Sequence, residues 1–259
     1  MKKSDFQPII NKKRASRLAV FLLMVLSSVF IMTGTTYAAA AGVNIALNGE
    51  GSDVVKIILI MTLITLGPSL LLMMTCFTRI IIVFSFLRNA LGLQQSPPNQ
   101  VLIGLALFVT FFIMSPVLTQ INDTALKPYN DGIIQTDEFI ARASIPLKEF
   151  MLKQTTTEEV ELFKSLSPRG DLKTASIQDL PMDIVIPSFI VSELKRAFII
   201  GFLIFIPFLV IDMIVASTLM SMGMIMLPPV MISLPFKIML FVVVDGWGLL
   251  IKTLVMTYN

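Results

Sequence analysis

The chain has 259 residues, of which 55% are hydrophobic and 14% are charged, with a formal net charge of +3 and a mean hydropathy of +0.85. Soluble domains carry about 25% charged residues, so this composition excludes an ordinary soluble domain and predicts a membrane protein or a subunit buried in a larger assembly. The chain has no histidine, which excludes the commonest general base and the imidazole metal ligand. Its single cysteine, Cys76, lies in an apolar run and is expected to be a core residue.

The first segment, residues 1–40, has the three parts of a secretory signal peptide. Basic residues precede an apolar stretch at residues 18–32, and the small-residue stretch TYAAAAG follows it. Cleavage near Ala38 or Ala40 would remove six basic residues and one acidic residue, which leaves a slightly acidic chain without a basic patch for nucleic acid. An uncleaved membrane anchor is the alternative.

A first hydrophobic block follows at residues 41–121. Two apolar runs, at residues 54–77 and 80–91, are followed by the turn QQSPPNQ and by an uncharged run at residues 101–121. Apolar runs of this length, separated by a proline-rich turn, predict helices that pair as hairpins.

Residues 122–183 are the one stretch that resembles a soluble protein, and acidic residues predominate in it. The pattern IPLKEFMLKQ predicts a helix, and TTTEEVELFKSL predicts a second helix with a threonine cap and glutamates in its first turn. A cleaved leader would put the new N-terminus outside the inner membrane, and two crossings later the chain returns to that side. We therefore predict a small, acidic, mostly helical insert on the periplasmic side.

A second hydrophobic block occupies residues 184–259, and hydropathy alone predicts about four membrane helices in the whole chain. However, Asp212 and Asp245 fall inside the last two candidate spans, and each would cost about 2.5–3.5 kcal/mol if it faced lipid. Pro68 and Pro207 would interrupt backbone hydrogen bonds in mid-span. We infer that several of these helices pack against other protein chains, with four ordinary spans as the alternative.

The stretch LMSMGMIMLPPV, which begins at Leu219, places methionine at every second position. The four methionines are Met220, Met222, Met224 and Met226. Apolar residues in a helix core recur three or four positions apart, so the alternation does not predict one. Four interpretations are open: filler in an irregular core, ligands for Cu(I), an adaptable substrate-binding surface, and a gate.

In the gate interpretation, several copies of the chain form a ring in which the methionines point to the axis. Gly223 lets the loop turn tightly, while Pro228 and Pro229 stop the helix and fix how the loop leaves. Unbranched thioethers from all copies would close a dry plug against ions, yet they would yield to a passing polypeptide. The gate explains the alternation, the lack of charge and the proline pair together.

Two long stretches resemble a known family. TRIIIVFSFLRNALGLQQSPPNQVLIGLALFVTFFIMSPV and SELKRAFIIGFLIFIPFLVIDMIVASTLMSMGMIMLPPVMISLPFKIMLFVVVDGWGLL are similar to the FliP family of flagellar export proteins, which includes homologues in type III secretion. The resemblance covers residues 54–256 apart from the insert. It implies a non-enzymatic, all-α membrane-complex protein whose long kinked helical hairpins assemble into a helical ring-like pore.

The resemblance also implies partners and a place in the cell. Copies of the chain, five in the family's complex, would assemble with FliR-like and FliQ-like subunits and with FlhB-like and FlhA-like export components. The substrates would be unfolded flagellar proteins, and the location would be the flagellar basal body in the inner membrane. No cofactor and no metal are implied. A small-solute or Cu(I) transporter is the alternative function.

In the family, a methionine-rich loop closes the pore, and that loop falls here on the four alternating methionines, interrupted by Ile225. The charges in the apolar blocks would then be neutralised by bridges within or between subunits, because a buried unpaired charge is strongly destabilising. These charges are Glu193, Lys195, Arg196, Asp212, Lys237 and Asp245. We predict a contact between the first of them, Glu193, and Lys237. The alternative for Arg79 and Arg88 is anchoring at the membrane interface.

Overall fold

The computed structural model describes residues 51–93, 95–168, 180–224 and 227–258, so the predicted signal peptide lies outside the described residues. Helices and turns account for the described part, which contains no β-strand. In chain order the helices are α1 (Gly51–Met73), α2 (Phe77–Ala90), α3 (Asn99–Ile121), α4 (Lys127–Asn130), α5 (Thr136–Gln154), α6 (Thr157–Leu166), α7 (Met182–Ser221), α8 (Pro229–Val243) and α9 (Gly246–Met256). The prediction of an all-α fold is confirmed.

The chain divides into two compact units, Met1–Pro68 and Ser69–Asn259. The described part of the first unit is the beginning of α1, where the hydroxyls of Thr62 and Thr65 donate hydrogen bonds to carbonyl groups one turn earlier. Such bonds satisfy a polar side chain inside an apolar helix without an outside partner. All contacts described below belong to the second unit.

Among the described residues, two helical segments are long and apolar enough to cross a membrane: Asn99–Asn130, which continues from α3 through a π-helical turn into α4, and α7. Two bent pairs, Ile64–Met73 with Phe77–Ala90 and α8 with α9, could each be one more span. Hydropathy therefore supports between two and four spans. Pro207 lies inside α7, which continues through it. Its nitrogen donates no backbone hydrogen bond, as expected, but the helix does not end there.

The main core forms around α2. Its buried residues Ile80, Val83, Phe84 and Leu87 recur three and four positions apart, as expected for one face of a helix. They pack with buried residues of α3, α7 and α9, and Cys76 belongs to the same core, as predicted. Helices α2 and α7 approach each other closely at Gly201, where a Cβ atom would lie 2.5 Å from Cγ of Phe86. This close approach is possible because glycine has no side chain.

A second core joins the acidic insert to α7. Met151 of α5 and Val160 of α6 pack with Leu180, and with Val185 and Phe189 in the first turns of α7. The insert helices therefore rest on the beginning of α7, and the hydrophobic and acidic regions share one packed structure in this part of the chain.

Candidate gate segment and its supporting ion pairs

We call residues 219–229 the gate segment, which comprises the last residues of α7, the loop after it and the first residue of α8. Helix α7 continues to Ser221, so Met220 lies in its last turn and the methionine alternation begins inside a helix. Gly223 has φ = +75°, in the left-handed region, and its N–H donates to the Met220 carbonyl at 3.0 Å. The Met224 N–H donates to the Leu219 carbonyl at 3.0 Å. This pair of bonds is a Schellman motif, which ends a helix at a glycine.

The two prolines begin the next helix. Pro228 has an extended backbone, with φ = −68° and ψ = 116°, and Pro229 is the first residue of α8. Proline suits the first helical position because its missing N–H would have no partner there. The expectation that the prolines stop the preceding helix is therefore wrong: Gly223 ends α7, and the prolines start α8.

The described methionines of the gate segment are exposed. Met220, Met222 and Met224 leave 64%, 68% and 40% of their surface uncovered, while Met226 lies outside the described residues. Filler in the core of this chain is thus wrong for these three side chains. An apolar, uncharged hairpin tip that its own chain leaves uncovered is available to contact other copies or a passing chain.

An ion pair ties the hairpin together behind this tip. The Lys237 ammonium on α8 is 2.5 Å from Oδ2 of Asp212 on α7, and it also donates to the Ala90 carbonyl at 3.2 Å. The Ser233 hydroxyl donates to Oδ1 of Asp212 at 2.5 Å. The Lys237 ammonium offsets the desolvation cost of the Asp212 carboxylate in an apolar helix. The same contacts hold α8 against both α7 and the end of α2.

A second ion pair is buried near the beginning of α7. The Arg79 guanidinium on α2 donates to both carboxylate oxygens of Glu193, with its Nε 3.1 Å from Oε2. The Tyr258 hydroxyl donates to Oε2 of Glu193 at 2.5 Å, and the Arg79 guanidinium lies 3.9 Å from the centre of the Tyr258 ring. Burial and the neighbouring carboxylate raise the pKa of Tyr258, so the phenol keeps the proton that it donates.

The adjacent basic residues of α7 bind the insert. Lys195 is 3.1 Å from a carboxylate oxygen of Glu158 and 3.0 Å from one of Glu159, and Arg196 donates to the Gln154 side chain at 3.0 Å. The Lys195 ammonium lowers the pKa of Glu159 by donating to its carboxylate. These contacts add polar links to the apolar contacts between the insert and α7.

The structure changes the interpretation of the candidate charges. Within this chain, Glu193 pairs with Arg79 and Lys237 pairs with Asp212, so neither is left unpaired. Their predicted contact between subunits stays a prediction. Asp245, in contrast, is exposed with φ = 51° and forms no ion pair with the residues that the structure describes.

Sequence reasoning missed the partner of Glu193. Arg79 is fully buried, so anchoring at the membrane interface is wrong for this residue. The sequence did contain an indication of burial: Arg79 directly precedes Ile80, the first residue of an apolar helical stripe. Such a charge needs a partner inside the protein, but 114 positions separate Arg79 from Glu193.

Comparison with known proteins identifies the family. Residues 60–254 match the family described as "FliP family". The flagellar biosynthetic protein FliP of Bacillus subtilis (strain 168) is 55% identical over 207 residues, which cover 80% of this chain and 93% of that protein. Its namesake from Aquifex aeolicus (strain VF5) is 49% identical over 215 residues, covering 82% of this chain and 89% of the relative. The flagellar biosynthetic protein FliP of Caulobacter vibrioides is 45% identical over 259 residues, which cover 98% of this chain and 96% of that protein. The match extends over both hydrophobic blocks and the gate segment, and the chain therefore belongs to the FliP family.

Proposed function

We propose that this chain is a pore-forming subunit of the flagellar protein export gate in the bacterial inner membrane. Its relatives are named flagellar biosynthetic proteins, and its long apolar helices suit a membrane complex. Those names do not favour a small-solute or Cu(I) transporter. Copies of the chain, FliR-like and FliQ-like subunits, and FlhB-like and FlhA-like components would be the partners, and unfolded flagellar proteins would be the substrates.

The exposed methionines of the gate segment carry the mechanistic part of this proposal. They lie at the tip of the hairpin formed by α7 and α8, and both Met220 and Met222 are exposed. If several hairpins converge on one axis, flexible thioethers from each copy form an apolar constriction that excludes water and ions. A polypeptide can push such side chains aside because each has several rotatable bonds and no fixed hydrogen-bond partner.

The ion pair behind the tip supports a gate in which the helices stay fixed and the methionine side chains move. Lys237 and Asp212 fix the two arms of the hairpin at positions about two to three turns from the tip. The arms can therefore stay in place while the methionine side chains rearrange. We propose that the seal opens by movement of side chains and of residues 222–228, with α7 and α8 as rigid supports.

Replacement of the four gate methionines by alanine tests the gate. The variant would be co-expressed with its FliR-like and FliQ-like partners, and ion conductance would be measured through the purified complex in a planar bilayer. We expect leakage to rise several-fold, because alanine leaves the constriction open, and we expect leucine at the same positions to preserve most of the seal.

The chain offers a matched control. Met213, Met231, Met239 and Met256 are also exposed, but they lie on helices outside the gate segment. Alanine at these four positions removes the same number of thioethers and should leave conductance at its original level. Equal leakage in both variants, or unchanged leakage in the gate variant, would exclude the gate segment as the seal.

A further inference from the structure

A pocket of about 300 Å³ lies where the end of α2 meets α8, the beginning of α9 and the turn that contains Ser96 and Pro97. Its apolar lining includes Leu87 of α2, Phe241 of α8 and Trp247 of α9. The volume is at the lower end of the range for ligand pockets, about 300–1,000 Å³. The mechanism proposed for the gate segment does not use this pocket.

Arg88 supplies the polar part of the pocket lining. Its Nε is buried and has no hydrogen-bond partner, while its Nη1 donates to the Asn99 side chain at 2.5 Å. In contrast, Arg79 and Arg142 each pair with a carboxylate. Among the described residues, Arg88 forms no ion pair. A guanidinium without a carboxylate partner leaves a positive charge at the wall of an apolar pocket, and an anion from outside the chain would neutralise it.

The surroundings of Arg88 indicate what kind of anion fits. The pocket wall is mostly apolar, which is unsuitable for a fully hydrated inorganic ion but suitable for a molecule with an anionic group and a hydrocarbon part. Beyond the pocket, Val242 and Val243 of α8 form an exposed apolar surface that continues from its edge. An acyl chain could follow this surface.

The charge distribution of the chain gives a reason for a lipid on this side. If the leader is cleaved as predicted, the new N-terminus lies outside and the turn after α2 lies on the cytoplasmic side, where anionic lipids attract arginine. We propose that this pocket binds an anionic phospholipid, whose phosphate pairs with the Arg88 guanidinium and whose acyl chain packs on Phe241 and Trp247. The lipid would hold α2, α8 and α9 together at the base of the gate hairpin.

Thermal unfolding of the full chain in detergent tests this proposal. Phosphatidylglycerol, phosphatidylcholine and inorganic phosphate would be added separately to the wild-type protein, to Arg88→Gln and to Arg142→Gln. We expect phosphatidylglycerol to raise the unfolding temperature of the wild-type protein by several degrees more than phosphatidylcholine. Arg88→Gln should abolish this difference, whereas Arg142→Gln, which changes an exposed arginine, should preserve it.

A second variant covers the case in which Arg88→Gln does not fold. Val242→Phe fills the exposed edge of the pocket without changing any charge, and it should also abolish the preference for phosphatidylglycerol. Equal effects of the two lipids on the wild-type protein would overturn the proposal, as would a preference that survives in Arg88→Gln or, where that variant does not fold, in Val242→Phe. Stabilisation by inorganic phosphate alone, to the same extent, would identify a simple anion site and would also overturn it.

Discussion

Both halves of α7 are rich in apolar residues, but they differ in their surroundings. Residues 182–201 contain most of the buried positions of the helix, including Phe189 and Glu193, and they pack on α2, α5 and α6. Residues 202–221 are more apolar, with Asp212 as their one charged residue, yet few of them are buried, and Phe202 leaves 65% of its surface exposed. The first half belongs to the core of this chain, whereas the second half presents apolar surface to lipid or to other subunits.

This difference shows that hydrophobicity alone does not distinguish a core helix from an assembly surface. The charges follow the same division. In the first half, Glu193, Lys195 and Arg196 all have partners on α2 or on the insert. In the second half, Asp212 pairs only within the hairpin that carries the gate segment. An apolar surface as large as the second half needs a cover in the assembled state.

The largest expected contrast is between two phenylalanines of α7. Phe189→Ala removes a fully buried ring and should lower the free energy of unfolding by about 3–5 kcal/mol. Phe202→Ala removes an exposed ring and should change it by less than about 0.5 kcal/mol. Denaturant unfolding of the single chain in detergent would measure both values. A similar loss of stability in the two variants would mean that the two halves of α7 do not differ in burial.

Tyr258→Phe tests the buried cluster that holds the first half. The change removes the hydroxyl that donates to Glu193 but keeps the ring, which stacks on Phe150 with centroids 6.1 Å apart. Because the acceptor is charged, we expect a loss of about 1.5–3 kcal/mol in the free energy of unfolding. Tyr129→Phe, at an exposed position, is the control and should have little effect. Equal stability of both variants would show that the hydroxyl does not stabilise the cluster.

Gly201→Ala tests the close approach of α2 and α7 at the end of the first half. A methyl group there would overlap the Phe86 ring, and we expect a loss of about 1–3 kcal/mol. The control is Gly104→Ala on α3, where a Cβ meets no atom within 4 Å. That variant should gain about 0.5–1 kcal/mol from helix propensity. Stabilisation by both changes would contradict the tight contact.

The smallest expected effect is the pH dependence of the link between the insert and α7. Since the pKa of Glu159 is lower in the folded chain than its usual value of about 4.3, the stabilisation is present above that pH and is lost as the pH falls below it. Unfolding temperatures between pH 6 and pH 3, followed by circular dichroism, should therefore fall more steeply for the wild-type chain than for Glu159→Gln. Glu161→Gln, on the same helix but exposed, should follow the wild-type curve.

The local features of the fold were predictable where short-range patterns decide them. The insert pattern TTTEEVELFKSL predicted a helix with a threonine N-cap. Helix α6 begins at Thr157 with Thr156 at the N-cap position, but the Thr156 side chain forms no capping hydrogen bond. The end of α7 was harder to predict, because a methionine alternation resembles a loop, although Gly223 provides the turn. The sequence identified the gate methionines as unusual, but it could not show that they are exposed. Their exposure depends on whether other parts of the folded chain pack on them.

The sequence by itself determined the helical class, the apolar blocks, the acidic insert and the resemblance to a family, because periodicity, hydropathy and motifs act over short distances along the chain. Tertiary structure alone decided that Arg79 pairs with Glu193, that Lys237 pairs with Asp212, and that one half of α7 is buried while the other is exposed. Each of these depends on helices that are distant in sequence but close in space. Pairing and burial are therefore properties of the packed chain, and residue type alone does not specify them.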